Sequence, residues 1–280
     1  MGVTHETNND QSALWNGLAG RGWVEAREAI DRMFRPFEAL LVEAVSAGSR
    51  APVLDVGCGT GATTLAVARA LEANGRAIGI DISAPMLTAA RARAERESAA
   101  AEFILADAQD YPFEPASVQT IVSRFGVMFF DDPVRAFANL RRALKDGGGL
   151  RILAWRGAEE NPFMTAAERA ATPFLPDLPI RRPEAPGQFA FGDRRRIHAI
   201  LEDSGWDGIG IRPIDVECML SEEDLNRYLA LVGPVGRILQ EVDDRTRARV
   251  LEAVRAAFDS FVQAGEVRYT AACWLVDARG

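Results

Sequence analysis

An α/β fold built on a mostly parallel sheet is what this chain predicts, and three observations predict it. Between Val53 and Trp155, short apolar runs rich in β-branched residues alternate with helical patterns, the rhythm of βαβ units. The first run, Val53-Leu54-Asp55-Val56, opens into Gly57-Cys58-Gly59-Thr60-Gly61, a loop with glycine at every second position directly before a helical segment. Aspartates stand at the ends of the first three strands, Asp55, Asp81 and Asp107. That rim is where open α/β sheets take nucleotide-like ligands.

The elements follow in order. From Leu14 to Ser46, the residues Trp15, Leu18, Trp23, Ala26, Ile30, Phe34 and Phe37 recur at helical spacing, interrupted by Gly17, Gly20 and Gly22. This segment reads either as core packing or as a movable lid carrying two tryptophans. Strands are predicted at Val53–Val56, Ala77–Asp81, Glu102–Ala106, Thr120–Ser123 and Leu150–Trp155, with helices at Ala62–Asn74, Pro85–Ser98 and Pro133–Lys145. Ser83 is placed to N-cap the second of these helices with Pro85 just inside it, and Gly147-Gly148-Gly149 to end the third. Beyond Trp155 the rhythm breaks into a proline-punctuated connection with one short helix near Met164–Ala171. The sheet pattern resumes with a helix at Arg194–Ser204 and a strand at Gly208–Glu217. Ser221 to Ala264 is helical, with Glu222, Glu223 and Asp224 suited to a first turn and a break at Gly233-Pro234. An alternating strand, Val267–Ala278, closes the chain.

Composition narrows the function classes. At 280 residues the chain can bury a sizeable core, and 48% hydrophobic with 26% charged residues is ordinary for a globular protein. A net charge of −8 argues against a nucleic-acid partner bound through its phosphates. Arg194-Arg195-Arg196 and the run from Arg91 to Arg96 read as solvated helix faces. The start, Met1 to Ser12, has no apolar core of signal-peptide length, and no later run approaches a membrane span. Cys58, Cys218 and Cys273 show no paired spacing for a disulfide framework or zinc, so no metal and a reducing, cytoplasmic setting are expected.

The glycine loop alone leaves its ligand open. Gly57, Gly59 and Ala62 fit the dinucleotide pattern, while Gly57, Gly59 and Gly61 give G-x-G-x-G. Asp55 discriminates better: a carboxylate there repels a pyrophosphate and attracts a ligand carrying ammonium and sulfonium charge. It also reads as a strand-end aspartate tying down the loop. Asp81 is placed to accept both hydroxyls of a ribose, Asp107 the exocyclic amine of an adenine, and Met86 to offer a soft face to the purine ring.

At these residues the sequence resembles the class I S-adenosylmethionine (SAM)-dependent methyltransferases. Val53–Gly61 is similar to the family's first motif, Ile80-Asp81-Ile82-Ser83 to its second and Ala106-Asp107-Ala108 to its third. Val122-Ser123-Arg124-Phe125 resembles its fourth strand, and Leu144–Leu150 the turn into its fifth. The likeness runs from about Pro52 to Trp155 and is strongest to the branch of quinone-biosynthesis C-methyltransferases and small-molecule enzymes. It implies a Rossmann-like seven-stranded sheet, mostly parallel with an antiparallel last strand, carrying helical lid insertions. It also implies roles. Gly57, Cys58, Gly59 and Gly61 form the loop approaching the methionine and ribose portions of SAM, with Asp55 near the ammonium group. Asp81 binds the ribose hydroxyls, Ile82 and Met86 sandwich the adenine, and Asp107 with the N–H of Ala108 reads the adenine edge. Ser123 lies under the sulfonium, and Arg124, Phe125 and Trp15 face the substrate.

The expected organisation is one methyltransferase domain over 1–280. Its core is 38–156, 190–217 and 266–280, and its lid or cap segments are 1–37, 157–189 and 218–265. These segments bring enough apolar surface to roof a pocket for a small, partly apolar acceptor; a homodimer contact is their alternative use. The expected function is methyl transfer from SAM by in-line displacement. The alternatives are an NAD(P)-dependent oxidoreductase on the same loop and a non-catalytic SAM-binding protein. No general base is named: His5 and His198 stand away from the strand ends, and Asp131 and Asp132 serve equally as caps before Pro133.

Overall fold

The computed structural model describes residues 6–45, 50–71, 75–179, 181–182 and 185–280. Three helices lead in: α1 (Glu6–Asn16), α2 (Leu18–Glu25) and α3 (Arg27–Val42). The sheet half then alternates β1 (Val53–Val56), α4 (Ala62–Ala70), β2 (Ala77–Asp81), α5 (Ala84–Glu97), β3 (Ala101–Leu105), β4 (Val118–Arg124), α6 (Pro133–Ala143) and β5 (Leu144–Trp155). After it come α7 (Pro162–Ala171), α8 (Arg194–Asp203), β6 (Asp207–Ser221), α9 (Glu222–Leu231), α10 (Gly233–Ile238), α11 (Asp244–Ala256), β7 (Val262–Gln263) and β8 (Glu266–Arg279).

Seven strands run in the order β3-β2-β1-β4-β5-β8-β6, and the two-residue β7 pairs off this path with β8. The pairs from β3 through β5 are parallel, whereas β8 lies antiparallel to both β5 and β6, so the last strand is the reversed one as expected. All four residues of β1 are buried, as a central strand covered on both faces requires. The strand order reverses beside β1, whose neighbours are β2 and β4. A crevice opens at such a switch point, outside the carboxyl ends of the strands.

Helix punctuation follows the local chemistry. Ser83 Oγ accepts from the Met86 N–H at 3.4 Å, Asp132 Oδ1 from the Arg135 N–H at 3.0 Å, and Ser221 Oγ from the Asp224 N–H at 3.1 Å. Asp132 is thus a cap.

Several boundaries differ from the expectation. Among the described residues α4 ends at Ala70, and Asn74 lies outside them, as does His5. Helix α6 stops at Ala143, not Lys145. The triple glycine belongs to β5, whose register against β4 shifts between Val118 and Thr120; Gly147, at φ +73°, carries the bulge. Of the three N-terminal glycines only Gly17 separates helices, while Gly20 and Gly22 lie inside α2. Their lack of a Cβ serves packing: at Gly22 it would sit 2.3 Å from the Leu231 carbonyl oxygen. The Ser221–Ala264 stretch is three helices and β7, because Val232 and Asp243 are extended cap residues.

The lead-in helices are fastened to both halves. Phe34 and Phe37 of α3 pack edge-on against Phe125, whose ring stacks on Trp155 at 4.5 Å. On the other side Arg32 forms a two-pronged ion pair with Asp224 of α9, at 2.8 and 2.5 Å. That guanidinium holds the buried Asp224 carboxyl below its ordinary pKa.

Candidate active site

A cavity of about 1570 Å³ opens at the carboxyl ends of β1, β2 and β4. Its floor is the glycine loop. Gly57 (φ +66°), Gly59 (φ +53°) and Gly61 (φ +84°) are all left-handed, the region in which only glycine is unstrained. Their surroundings differ. A Cβ on Gly57 would lie 2.6 Å from Gly126 Cα, so two backbone segments cross there; Gly61 faces the Ala90 and Phe103 side chains and caps α4. A Cβ on Gly59 would meet only the Met86 sulfur, at 3.5 Å. The open face of the loop is therefore at Gly59, towards the cavity.

The three strand-end carboxylates all line this cavity. Asp55 is buried, and its Oδ2 accepts from Thr64 Oγ1 at 2.6 Å. Its Oδ1 is enclosed and has no hydrogen-bond partner, a costly state for a carboxylate. Desolvation pushes its pKa up to about 7 against the opposing pull of Thr64 and Arg124. Asp81 accepts from the Gly59 N–H and the Ser83 N–H, both at 2.8 Å, and so ties the loop to the turn after β2. Burial raises its pKa while those N–H groups oppose the rise. Asp107 Oδ1 accepts from the Gln109 N–H at 2.8 Å. Ile82, Met86, Cys58 and Ala108 also line the cavity. The Cys58 thiol is buried, and desolvation raises its pKa well above the ordinary value.

Ser123 and Gly61 do not line the cavity. The Ser123 hydroxyl is fully buried, donating to the Val56 carbonyl at 2.7 Å and accepting from the Gly126 N–H at 3.2 Å. It fixes β4 and the turn after it against the end of β1. Phe125 follows at φ +62°, strained for a bulky residue, and is held by its N–H to the Leu153 carbonyl at 3.1 Å and by its stack on Trp155. The strained turn lets Gly126 reach Gly57.

The other half of the cavity has a large aromatic wall, with Arg181, Arg182, Arg195, Arg196 and Arg237 also in its lining. Phe125, Met128, Phe129, Phe130 and Trp155 rise from the sheet side, and Trp15, Trp23, Phe34, Met164, Phe189 and Tyr228 from the helical segments. Trp15 packs edge-on against Trp23 (6.0 Å) and Phe129 (5.2 Å). Arg124 lies 3.7 Å from Glu38 and over the Phe34 ring at 5.7 Å. His198 stands on an exposed face of α8, 3.6 Å from Glu202 and outside this cavity.

Two asparagines that sequence reasoning gave no role fasten elements around the site. Asn16 donates to the Ile82 carbonyl and accepts from the Ala84 N–H, both at 2.9 Å, while Ser83 Oγ donates to the Trp15 carbonyl at 2.7 Å. Asn161, buried at the start of α7, both donates to and accepts from the Ala272 backbone at 3.0 Å. A lone asparagine carries no local signal for partners so far away in sequence. Thr64 was findable, because it sits one helical turn from Gly61 and faces the end of β1.

Among the described residues, no three His, Cys, Asp or Glu side chains are grouped to hold a metal, and no helix is long and apolar enough to cross a membrane. Residues 53–148 match the profile of a family described as a methyltransferase domain. Over 107 residues the chain is 36% identical to demethylmenaquinone methyltransferase of Lactiplantibacillus plantarum, covering 38% of this chain and 45% of that protein. It is 34% identical over 116 residues to an uncharacterised 37.1 kDa protein of transposon Tn4556 in Streptomyces fradiae, covering 41% of this chain and 33% of that protein. The chain thus spans less than half the length of these curated relatives. The crystal structure of YcgJ from Bacillus subtilis shares the fold, with a TM-score of 0.57 at 17% identity over 86% of this chain and 97% of that one.

Proposed function

We propose that this chain, whose residues 53–148 match a methyltransferase domain, binds SAM on the glycine loop and methylates a small, partly apolar acceptor in the same cavity. Continuity carries the reading. One cavity of about 1570 Å³ joins Gly59, Asp55, Asp81 and Asp107 to a wall of aromatic side chains. Single-ligand pockets run to roughly 300–1,000 Å³, so this space suits a cofactor and an acceptor side by side.

The residues present fit the cofactor. The face of the loop at Gly59 has no Cβ to fill it, and the enclosed Asp55 Oδ1 awaits a donor, which an ammonium group or a water held by one supplies. Each Asp81 oxygen has a lone pair left after its backbone N–H, enough for the two hydroxyls of a ribose. Ile82 and Met86 flank the adenine position, and Asp107 with the Ala108 N–H faces its edge. When bound, SAM supplies an electrophilic methyl carbon on a sulfonium. The protein aligns the acceptor with it, an effect worth roughly 7–11 kcal/mol in favourable cases. Trp15, Trp23 and Tyr228 exclude water from above. Burial pushes the Tyr228 phenol up to about 12, so it keeps its proton at neutral pH and serves as wall or donor, not as base.

In this reading the chain is one unit, with core 38–156, 190–217 and 266–280 roofed by 1–37, 157–189 and 218–265. A screen with methyl-labelled SAM against quinols, phenols, amines and fatty acyl compounds tests it. Label in an organic acceptor is the expected result. SAM binding with transfer to none of the panel favours the non-catalytic alternative.

A further inference from the structure

The acceptor half of the cavity holds a cation with no ion-pair partner among the described residues. Arg237, on α10, lines the cavity and is half-buried. Among the described residues no carboxylate lies within ion-pair distance of its guanidinium and no acceptor within hydrogen-bond distance. Desolvation lowers its pKa, with Glu168 and Glu241 opposing from further away. Glu168 is taken, because Arg181 grips it with both prongs.

Other enclosed arginines of the chain have charged neighbours. Arg124 has Glu38 and the Phe34 ring, Arg93 has Asp31 and Glu97, and Arg156 has Glu160 and Asp215. Arg182 and Arg195 also reach the cavity wall, but they are exposed. Arg237 is half-buried on the cavity wall with no ion-pair or hydrogen-bond partner among the described residues, and a guanidinium in that state is a ready binding site for an anion. The wall beside it is Met164, Tyr228, Val232 and Pro234, which suits an apolar body.

We propose that Arg237 binds an anionic group, carboxylate or phosphate, on an otherwise apolar acceptor. This rests on the reading that the cavity holds the acceptor beside SAM, and it makes that acceptor an amphiphilic anion. Arg237 is then a specificity-determining residue on the roof, remote from the glycine loop.

Calorimetric titration of the full chain, with and without saturating S-adenosylhomocysteine, tests this using decanoate, decyl phosphate and decan-1-ol as probes. At least one anion should bind about ten- to a hundred-fold tighter than the alcohol, as a charge-assisted contact predicts. Which anion wins separates a carboxylate from a phosphate acceptor. Arg237→Gln should abolish the preference while leaving decan-1-ol and S-adenosylhomocysteine affinity and the melting temperature in place; Arg237→Lys should keep part of it. The proposal is overturned if neither anion outbinds the alcohol, or if the preference survives in Arg237→Gln. It is also overturned if Arg237→Gln weakens S-adenosylhomocysteine instead, which would assign the residue to the cofactor. Failure of the protein to bind S-adenosylhomocysteine at all sinks the SAM reading. An Arg237-dependent anion preference in the unloaded protein would still stand.

Discussion

The side-chain amide of Asn16 donates to the Ile82 carbonyl at 2.9 Å, across 66 residues of chain. Through it the end of α1 is bolted to the turn that follows Asp81, and the same side chain accepts from the Ala84 N–H. The N-terminal helix is therefore part of the cavity wall beside Asp81. Asn16→Ala removes both bonds and leaves backbone groups at a partly buried turn unsatisfied. It should cost about 1–3 kcal/mol of stability in urea unfolding and weaken S-adenosylhomocysteine in calorimetry. Wild-type values for both would detach α1 from the site.

Asp81 holds the Gly59 and Ser83 N–H groups, and in the proposed reading its remaining lone pairs meet a ribose. Asp81→Ala should lower S-adenosylhomocysteine affinity by about 1–3 kcal/mol, and Asp81→Asn, which keeps an acceptor oxygen, by less. Unchanged affinity in both variants refutes the assignment.

Two glycines separate backbone crossing from ligand approach. A Cβ on Gly126 would lie 2.6 Å from the Val56 carbonyl oxygen and 2.7 Å from Gly57 Cα, so Gly126→Ala should lower the melting temperature and cofactor affinity together. At Gly59 the space beside the loop is open, so Gly59→Ala should retain more stability while cofactor affinity falls. Equal losses of stability in the two variants would contradict the placement of the open face.

Asp55 makes stability depend on pH. Folded, it keeps its proton up to about pH 7, whereas the ordinary value is 3.8. Between those values the folded state binds more protons than the unfolded state. Stability therefore falls as pH rises through that window and levels off above it. Glu38 and Asp81, also raised by burial, add in the same direction. Asp55→Asn should reduce the loss of stability between about pH 5 and about pH 8 without abolishing it. An unaltered slope in urea unfolding at the two pH values would show that Asp55 is ionised in the folded protein.

What was legible in the sequence follows from what acts locally. The apolar run Val53–Val56, the glycine loop and the caps at Ser83 and Asp132 are each determined within a few residues, and each lies where expected. Asp55, Asp81 and Asp107 were readable because strand ends in a parallel sheet share one rim. Ser123 illustrates the limit: its position predicts a ligand-facing hydroxyl, but that hydroxyl is consumed by the Val56 carbonyl and the Gly126 N–H. Asn16 and Asn161 act through partners remote in sequence, and Phe125 takes a left-handed turn that its residue type disfavours. Arg237 was invisible for a related reason. An unpaired cation is defined by which carboxylates are absent around it, and only the packing of α10 against its neighbours reveals that.

The central claim is that the glycine loop, with Asp55 behind it and Asp81 beside it, selects a cationic amino-acid cofactor over a pyrophosphate. Calorimetry of the wild-type protein with S-adenosylhomocysteine and with NADP tests it most directly. The account predicts one-to-one binding of S-adenosylhomocysteine, weakened in Asp81→Ala, and no measurable heat with NADP. Binding of NADP without S-adenosylhomocysteine would contradict it.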